Sequence, residues 1–327
     1  MTPLSPDATA HLRAVLTQPE PPGDRYTVHE LVGEGGMGSV YRATDHALGR
    51  HVALKVLRPE FADEGSAARL RREAAILARL EHPGVVPVHE VGQLADGRVF
   101  YVMKLIRGTR LDEAAHGAPL AARLRLFLRI CETMSFAHAH GVVHRDLKPS
   151  NVMVGAFGEV LVLDWGIARL LEQGAPSRSG TPLDHSGPDA APFADAVTAA
   201  GTVLGTPGFM SPEQAQGEAH VDARTDVYAL GAILRWLAAG TDNDGKTPRP
   251  LQSIWRKACA TLPADRYESA EMLAADVARF LDAEPVSAHR ESWRERGARL
   301  YQRYQTAILL VLAYLAMRFA FMLSRGL

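Results

Sequence analysis

His144-Arg145-Asp146-Leu147-Lys148-Pro149-Ser150-Asn151 is followed, thirteen residues beyond Asn151, by Asp164-Trp165-Gly166. The run sets an acid, a lysine and an amide within six positions and a second acid across a short hairpin. Transfer of a phosphoryl group from ATP requires such a set: a carboxylate to hold an incoming hydroxyl, a cation at the γ-phosphate, and hard oxygen donors for magnesium. A lone Asp or Lys is ordinarily surface charge, but eight adjacent positions in this order are not explained that way.

Here the chain resembles the eukaryotic-like serine/threonine protein kinases of bacteria, whose pattern H-R-D-L-K-P-x-N is matched in full. The resemblance runs from about Tyr26 to about Glu284 and implies an α+β, bilobal kinase fold. A small β-rich N-lobe would span 26–103 and a helical C-lobe 107–284, with an expanded activation segment at 164–213.

Working towards the amino terminus, Tyr26 to Val32 reads as a strand, and Gly33-Glu34-Gly35-Gly36-Met37-Gly38-Ser39-Val40 fits the glycine-rich loop of the family. Glycine lets a hairpin backbone approach phosphates. The loop gains weight from Val52-Ala53-Leu54-Lys55, whose lysine would pair the α- and β-phosphates. From Ser66 to Leu80 the spacing of Leu70, Ala74 and Leu77 predicts a helix with Glu73 on the same side. A carboxylate beside an apolar face needs a cation, either Lys55 or the nearby surface residue Arg69. The resemblance further places Met103 as gatekeeper, the backbones of Lys104 and Ile106 at the adenine edge, and Val40, Ala53 and Met153 around the ring.

Leu120 to His140 is amphipathic at helical period and closes at Gly141. It delivers the catalytic loop, in which the resemblance implies that Asp146 orients the acceptor hydroxyl and Lys148 neutralises the γ-phosphate. Asn151 and Asp164 would hold Mg2+, with Mn2+ as the alternative. His138, His140 and His144 are expected to be structural. Trp165 departs from the usual Phe, and its indole N–H needs a partner when buried.

Gly205 to Glu213 resembles the end of an activation segment with S-P-E for A-P-E, and Glu213 is expected to pair with Arg266. Arg145 would receive a phosphorylated segment, with Thr198 and Thr202 as the phosphorylation sites and Thr206 as a structural contact. Two further departures are an expanded Gly-, Pro-, Ser- and Asp-rich stretch between Leu171 and Ala200 and a short connection after Gly240. In the family a substrate-docking helix usually lies there.

The net charge of -1 gives no global basic field, so nucleic acid is not an expected partner. Cys131 and Cys259 lack metal or redox spacing, which suits a reducing compartment. Residues 1–25 read as a disordered, proline-rich arm without a signal peptide.

A basic segment at 285–304, with Arg290, Arg294, Arg296, Arg299 and Arg303, precedes a hydrophobic helix at 305–323 and a tail at 324–327. Between Ala307 and Leu323 the nine Leu, Ile, Val and Phe residues favour insertion by about 3–5 kcal/mol, against at most about 3 for Arg318. The arginines would keep the kinase on the cytoplasmic face of the membrane. The competing expectation is a helix packed on the kinase or on a second copy. Expected partners are proteins with Ser or Thr acceptors, and a homodimer is one arrangement for autophosphorylation. The runner-up function is a nucleotide-binding pseudokinase acting as a membrane-tethered scaffold. A small-molecule kinase would need neither the activation segment nor Glu213 with Arg266.

Overall fold

The structure, a computed structural model, describes residues 19, 21, 23–35, 38–165, 169–170, 208–217, 222–239, 247–289, 297, 309–315 and 317–318. The amino-terminal arm up to residue 18, Gly36, Thr198, Thr202 and Thr206 lie outside them, as does most of the expanded segment.

The N-lobe is built on a five-stranded antiparallel sheet in the order β1-β2-β3-β5-β4. Its strands are β1 (Tyr26–Glu34), β2 (Gly38–Asp45), β3 (Arg50–Leu57), β4 (Val88–Gln93) and β5 (Val99–Lys104). Alternation along β3 sends Val52, Leu54 and Val56 into one apolar cluster with Ala43, Phe100 and Val102, and turns Ala53 and Lys55 to the other face. Against that second face lies helix α1 (Glu64–Arg79). Asp63 caps it, accepting from Ser66 N at 2.9 Å and from Ser66 Oγ at 2.7 Å, so the helix starts two residues before the expected Ser66. Its buried stripe, Ala67, Leu70, Glu73, Ala74 and Leu77, carries one carboxylate into the interior.

The C-lobe begins after the hinge with β6 (Gly108–Arg110) and the short α2 (Leu111–Ala114). It continues through α3 (Leu120–Ala139), β7 (Val142–Val143), β8 (Val152–Gly155), β9 (Val160–Val162) and β10 (Arg169–Leu170). The helices α4 (Pro212–Ala215), α5 (Arg224–Ala239), α6 (Arg249–Ala258) and α7 (Ala270–Leu281) complete it. Leu124, Phe127, Ile130, Cys131 and Met134 of α3 are fully buried against α5 and α7, each burial contributing about 1.5–3 kcal/mol. Gly141, at φ 73°, ends α3 in the left-handed conformation that L residues avoid and turns the chain into β7. From β7 the chain runs directly into the catalytic loop, and the β8–β9 hairpin then brings it back beside that loop.

The lobes are joined near the site. Val162 N donates to Gly84 O at 2.8 Å, and Val85 bridges Val162 in parallel.

The C-terminal hydrophobic helix expected at 305–323 is described only in part: residues 309–315 and 317–318 are helical, with Leu309, Leu310, Val311 and Leu312 exposed. Among the described residues no helix is long and apolar enough to cross a membrane.

Candidate active site

Lys55 and Glu73 meet at the back of the cleft between the lobes. Lys55 Nζ donates to Glu73 Oε1 at 2.7 Å, so the arrangement present is the Lys55 pairing rather than the Arg69 one. The same oxygen accepts from Tyr101 Oη at 2.8 Å, a contact not foreseen from the sequence. Burial disfavours charge on Lys55, but Glu73 and then Asp164 outweigh it and hold the ammonium above its usual value. Asp164 Oδ1 lies 3.8 Å from Lys55 Nζ, and its side chain is half exposed.

Of the glycine-rich loop, Gly33, Gly35 and Gly38 are described. Gly35 N donates to Gly38 O at 2.8 Å, closing the turn. A Cβ on Gly38 would come 2.9 Å from Val56 O, so a side chain there would push β2 off β3. Val40 pairs with Lys55 and Ala53 with Met103, which sets these apolar side chains along the roof of the cleft. Met153, in register with Arg110 and Leu161, belongs to the C-lobe sheet β6-β8-β9. At the hinge, Lys104 N donates to Pro87 O at 3.1 Å, so that amide is already engaged within the N-lobe. Ile106 follows on the same connection, partly buried.

In the catalytic loop Asp146 Oδ2 accepts from Lys148 Nζ at 2.7 Å and from Asn151 Nδ2 at 3.2 Å. Asn151 Nδ2 also donates to Asp146 O at 2.9 Å. With its amide hydrogens committed to Asp146, the atom Asn151 has to offer a cation is its oxygen. That oxygen and the Asp164 carboxylate form a hard donor set that fits magnesium, which takes one or two protein ligands together with substrate phosphates. Among the described residues no cluster of three or more His, Cys, Asp or Glu forms a complete metal cage.

The loop is held by Asp226, which is fully buried at the start of α5. Asp226 Oδ2 accepts from His144 N and from His138 Nε2, both at 2.8 Å, and Oδ1 accepts from Arg145 N at 2.9 Å. Burial would raise this carboxyl, but His138 and then the other donors outweigh it and keep it below the usual range. Gln214 Nε2 donates to Arg145 O at 2.7 Å from the other side. These contacts pin Arg145 at φ 71° and offset the strain of that conformation. Asp164 is also left-handed, at φ 60°.

His144 is a linker within the core. Asp146 N donates to its Nδ1 at 3.2 Å, so the ring hydrogen sits on Nε2, which donates to Leu163 O at 2.9 Å. Trp165 is 1% exposed, tilted over the His144 ring at 4.7 Å, and donates from Nε1 to Val162 O at 3.2 Å. Its polar hydrogen thereby has the partner that burial demands.

Glu213 and Arg266 form a two-pronged buried pair, Nη1 to Oε1 at 2.6 Å and Nη2 to Oε2 at 2.7 Å. Arg266 also donates to the carbonyls of Ala260, Arg224 and Thr261, and Thr225 Oγ1 donates to Glu213. The guanidinium is thus fully engaged. Burial pushes the Glu213 carboxyl up, but Arg266 and Thr225 pull it further down, to about 2.

Tyr101, Asp226 and Gln214 are the residues the sequence did not single out for these roles. Each acts across a long separation, which local pattern does not report.

A family model described as the protein kinase domain matches residues 26–265. Among curated relatives, the serine/threonine-protein kinase PknB of Mycolicibacterium smegmatis is 34% identical over 304 residues, 84% of this chain and 45% of that one. The DNA damage-responsive serine/threonine-protein kinase RqkA of Deinococcus radiodurans is 43% identical over 223 residues, 66% of this chain and 30% of that one. This chain therefore spans less than half the length of these relatives. The crystal structure of the Mycobacterium tuberculosis PknI kinase domain is similar at a TM-score of 0.55 and 26% identity, over 78% of this chain and 96% of that one. The chain belongs to the protein kinase domain family and resembles, within it, the serine/threonine-protein kinases of bacteria.

Proposed function

We propose that the chain is an ATP-dependent serine/threonine protein kinase that transfers the γ-phosphate to Ser or Thr of proteins, itself included, in bacterial signalling. The observation that carries this reading is the meeting of Lys55, Glu73 and Asp164 across the lobes, next to Asp146, Lys148 and Asn151. Asp146 orients the acceptor hydroxyl and takes its proton, and Lys148 meets the charge on the γ-phosphate. Lys55, fixed by Glu73, holds the α- and β-phosphates under the glycine-rich loop. Magnesium, when bound at Asn151 and Asp164, neutralises phosphate charge. Incubation with labelled ATP and magnesium, in the presence of a protein rich in Ser and Thr, tests this. Phosphoserine or phosphothreonine in wild type supports the reading; label on tyrosine alone, or none, contradicts it.

Residues 26–284 are the kinase domain in this reading, and phosphate on Thr198 and Thr202 would pair with Arg145. A Thr198→Ala/Thr202→Ala variant as active as wild type, after phosphatase treatment and renewed exposure to ATP, would argue against that regulation.

The stretch 305–323 is proposed as a single-pass anchor with the kinase on the cytoplasmic face, supported by the exposed apolar helical residues at 309–315. The chain should then stay with membranes through carbonate extraction, and Leu310→Arg with Leu312→Arg should release it. Recovery of wild type in the soluble fraction without detergent would contradict the anchor.

A further inference from the structure

Residues 285–289 leave the C-lobe through a clasp centred on Asp276 of α7. Asp276 is fully buried. Its Oδ1 accepts from Ser287 N at 2.8 Å and its Oδ2 from Ser287 Oγ at 2.7 Å and from Ala288 N at 3.1 Å. Tyr267 Oη at 2.9 Å and Arg279 Nη1 at 3.0 Å complete the set. On one side of Ser287, Val286 is 5% exposed and packs into the main core. On the other, His289 Nδ1 lies 3.1 Å from Ser253 Oγ of α6. Ser287 itself is exposed, although its hydroxyl hydrogen is committed to a buried carboxylate.

We infer that Ser287 is a phosphoacceptor of the kinase activity proposed above, and that its modification opens the clasp and frees the chain that follows. The inference rests on that proposed activity. Ser287 Oγ would attack the γ-phosphorus of ATP and form the new O–P bond. The bond from that phosphorus to the β–γ bridging oxygen breaks, ADP departs with the electron pair, and the hydroxyl proton passes to Asp146. The product oxygen has no hydrogen left to donate and carries a phosphate of nearly two negative charges against the Asp276 carboxylate. Attraction becomes like-charge repulsion. Arg279, whose side chain is 47% exposed, can turn to the phosphate and strip a further donor from Asp276. The segment released leads directly to Arg290, Arg294, Arg296, Arg299 and Arg303.

Two measurements on the full chain test this. Phosphosites are mapped after incubation with ATP and magnesium, with Asp146→Asn as the control for contaminating activity. Hydrogen exchange at the Ser287 and Ala288 amides is compared among unmodified chain, chain carrying genetically encoded phosphoserine at 287, and Ser287→Ala. The inference expects phosphate on Ser287 that is absent in the control. It also expects exchange about tenfold or more faster with phosphoserine, and a smaller change in Ser287→Ala, which loses one hydrogen bond without gaining repulsion. Phosphate on other residues but not on Ser287 overturns the inference and leaves the kinase reading standing. No phosphate anywhere overturns both. Unchanged protection with phosphoserine in place overturns the opening of the clasp.

Discussion

Glu73 Oε1 accepts from both Lys55 Nζ, at 2.7 Å, and Tyr101 Oη, at 2.8 Å, so one oxygen of a buried carboxylate fixes the lysine proposed to meet the phosphates. Glu73→Gln removes the charge and retains the shape. Losing one charge-assisted contact is worth about 1.5–3 kcal/mol, which predicts about a 10- to 100-fold loss in kcat/KM for ATP-dependent transfer. Tyr101→Phe should cost less, since Lys55 still pairs with Glu73. Steady-state kinetics of the two variants check the order, and a Tyr101→Phe loss larger than that of Glu73→Gln would contradict it.

Trp165 donates to Val162 O inside the core, so Trp165→Phe leaves that carbonyl without this donor and a void beside His144. The expected cost is about 1–3 kcal/mol of stability. Transfer should stay close to wild type, because Asp164 keeps its side chain. Denaturant unfolding combined with an activity assay separates the two effects; unchanged stability would mean the indole contact contributes nothing.

The pair of Glu213 and Arg266 makes a prediction with a definite pH sign. Its carboxyl is held at about 2 against an ordinary value of 4.5, so its contribution is complete above about pH 4.5 and is lost as pH falls towards 2. Arg266→Met leaves Glu213 buried without its cation and should cost about 3–5 kcal/mol near neutral pH. Adding Glu213→Gln to that variant should recover part of the loss. Unfolding measured from pH 7 to pH 3 should show wild type losing this advantage over the double variant on acidification; parallel curves would contradict the assignment.

The catalytic loop was legible because its residues are contiguous, and the helices because their apolar spacing is periodic. The boundaries of α1 shifted because the cap is a side-chain event at Asp63. What stayed hidden depends on tertiary placement. Tyr101 reaches Glu73 from 28 positions away, and Asp226 reaches the His144 amide from 82. The Asp276 clasp is likewise invisible in sequence, since Ser287 and Ala288 carry no motif and acquire their role only when α7 presents a buried carboxylate to them.

The most direct test of phosphoryl transfer at this site is Asp146→Asn, measured for transfer rate and nucleotide affinity in the same preparation. Asp146 faces the acceptor rather than the nucleotide in this account, so the rate should fall by about 10²- to 10⁴-fold while ATP affinity stays near wild type. Transfer at the wild-type rate by Asp146→Asn would contradict the assignment of the base and the mechanism built on it.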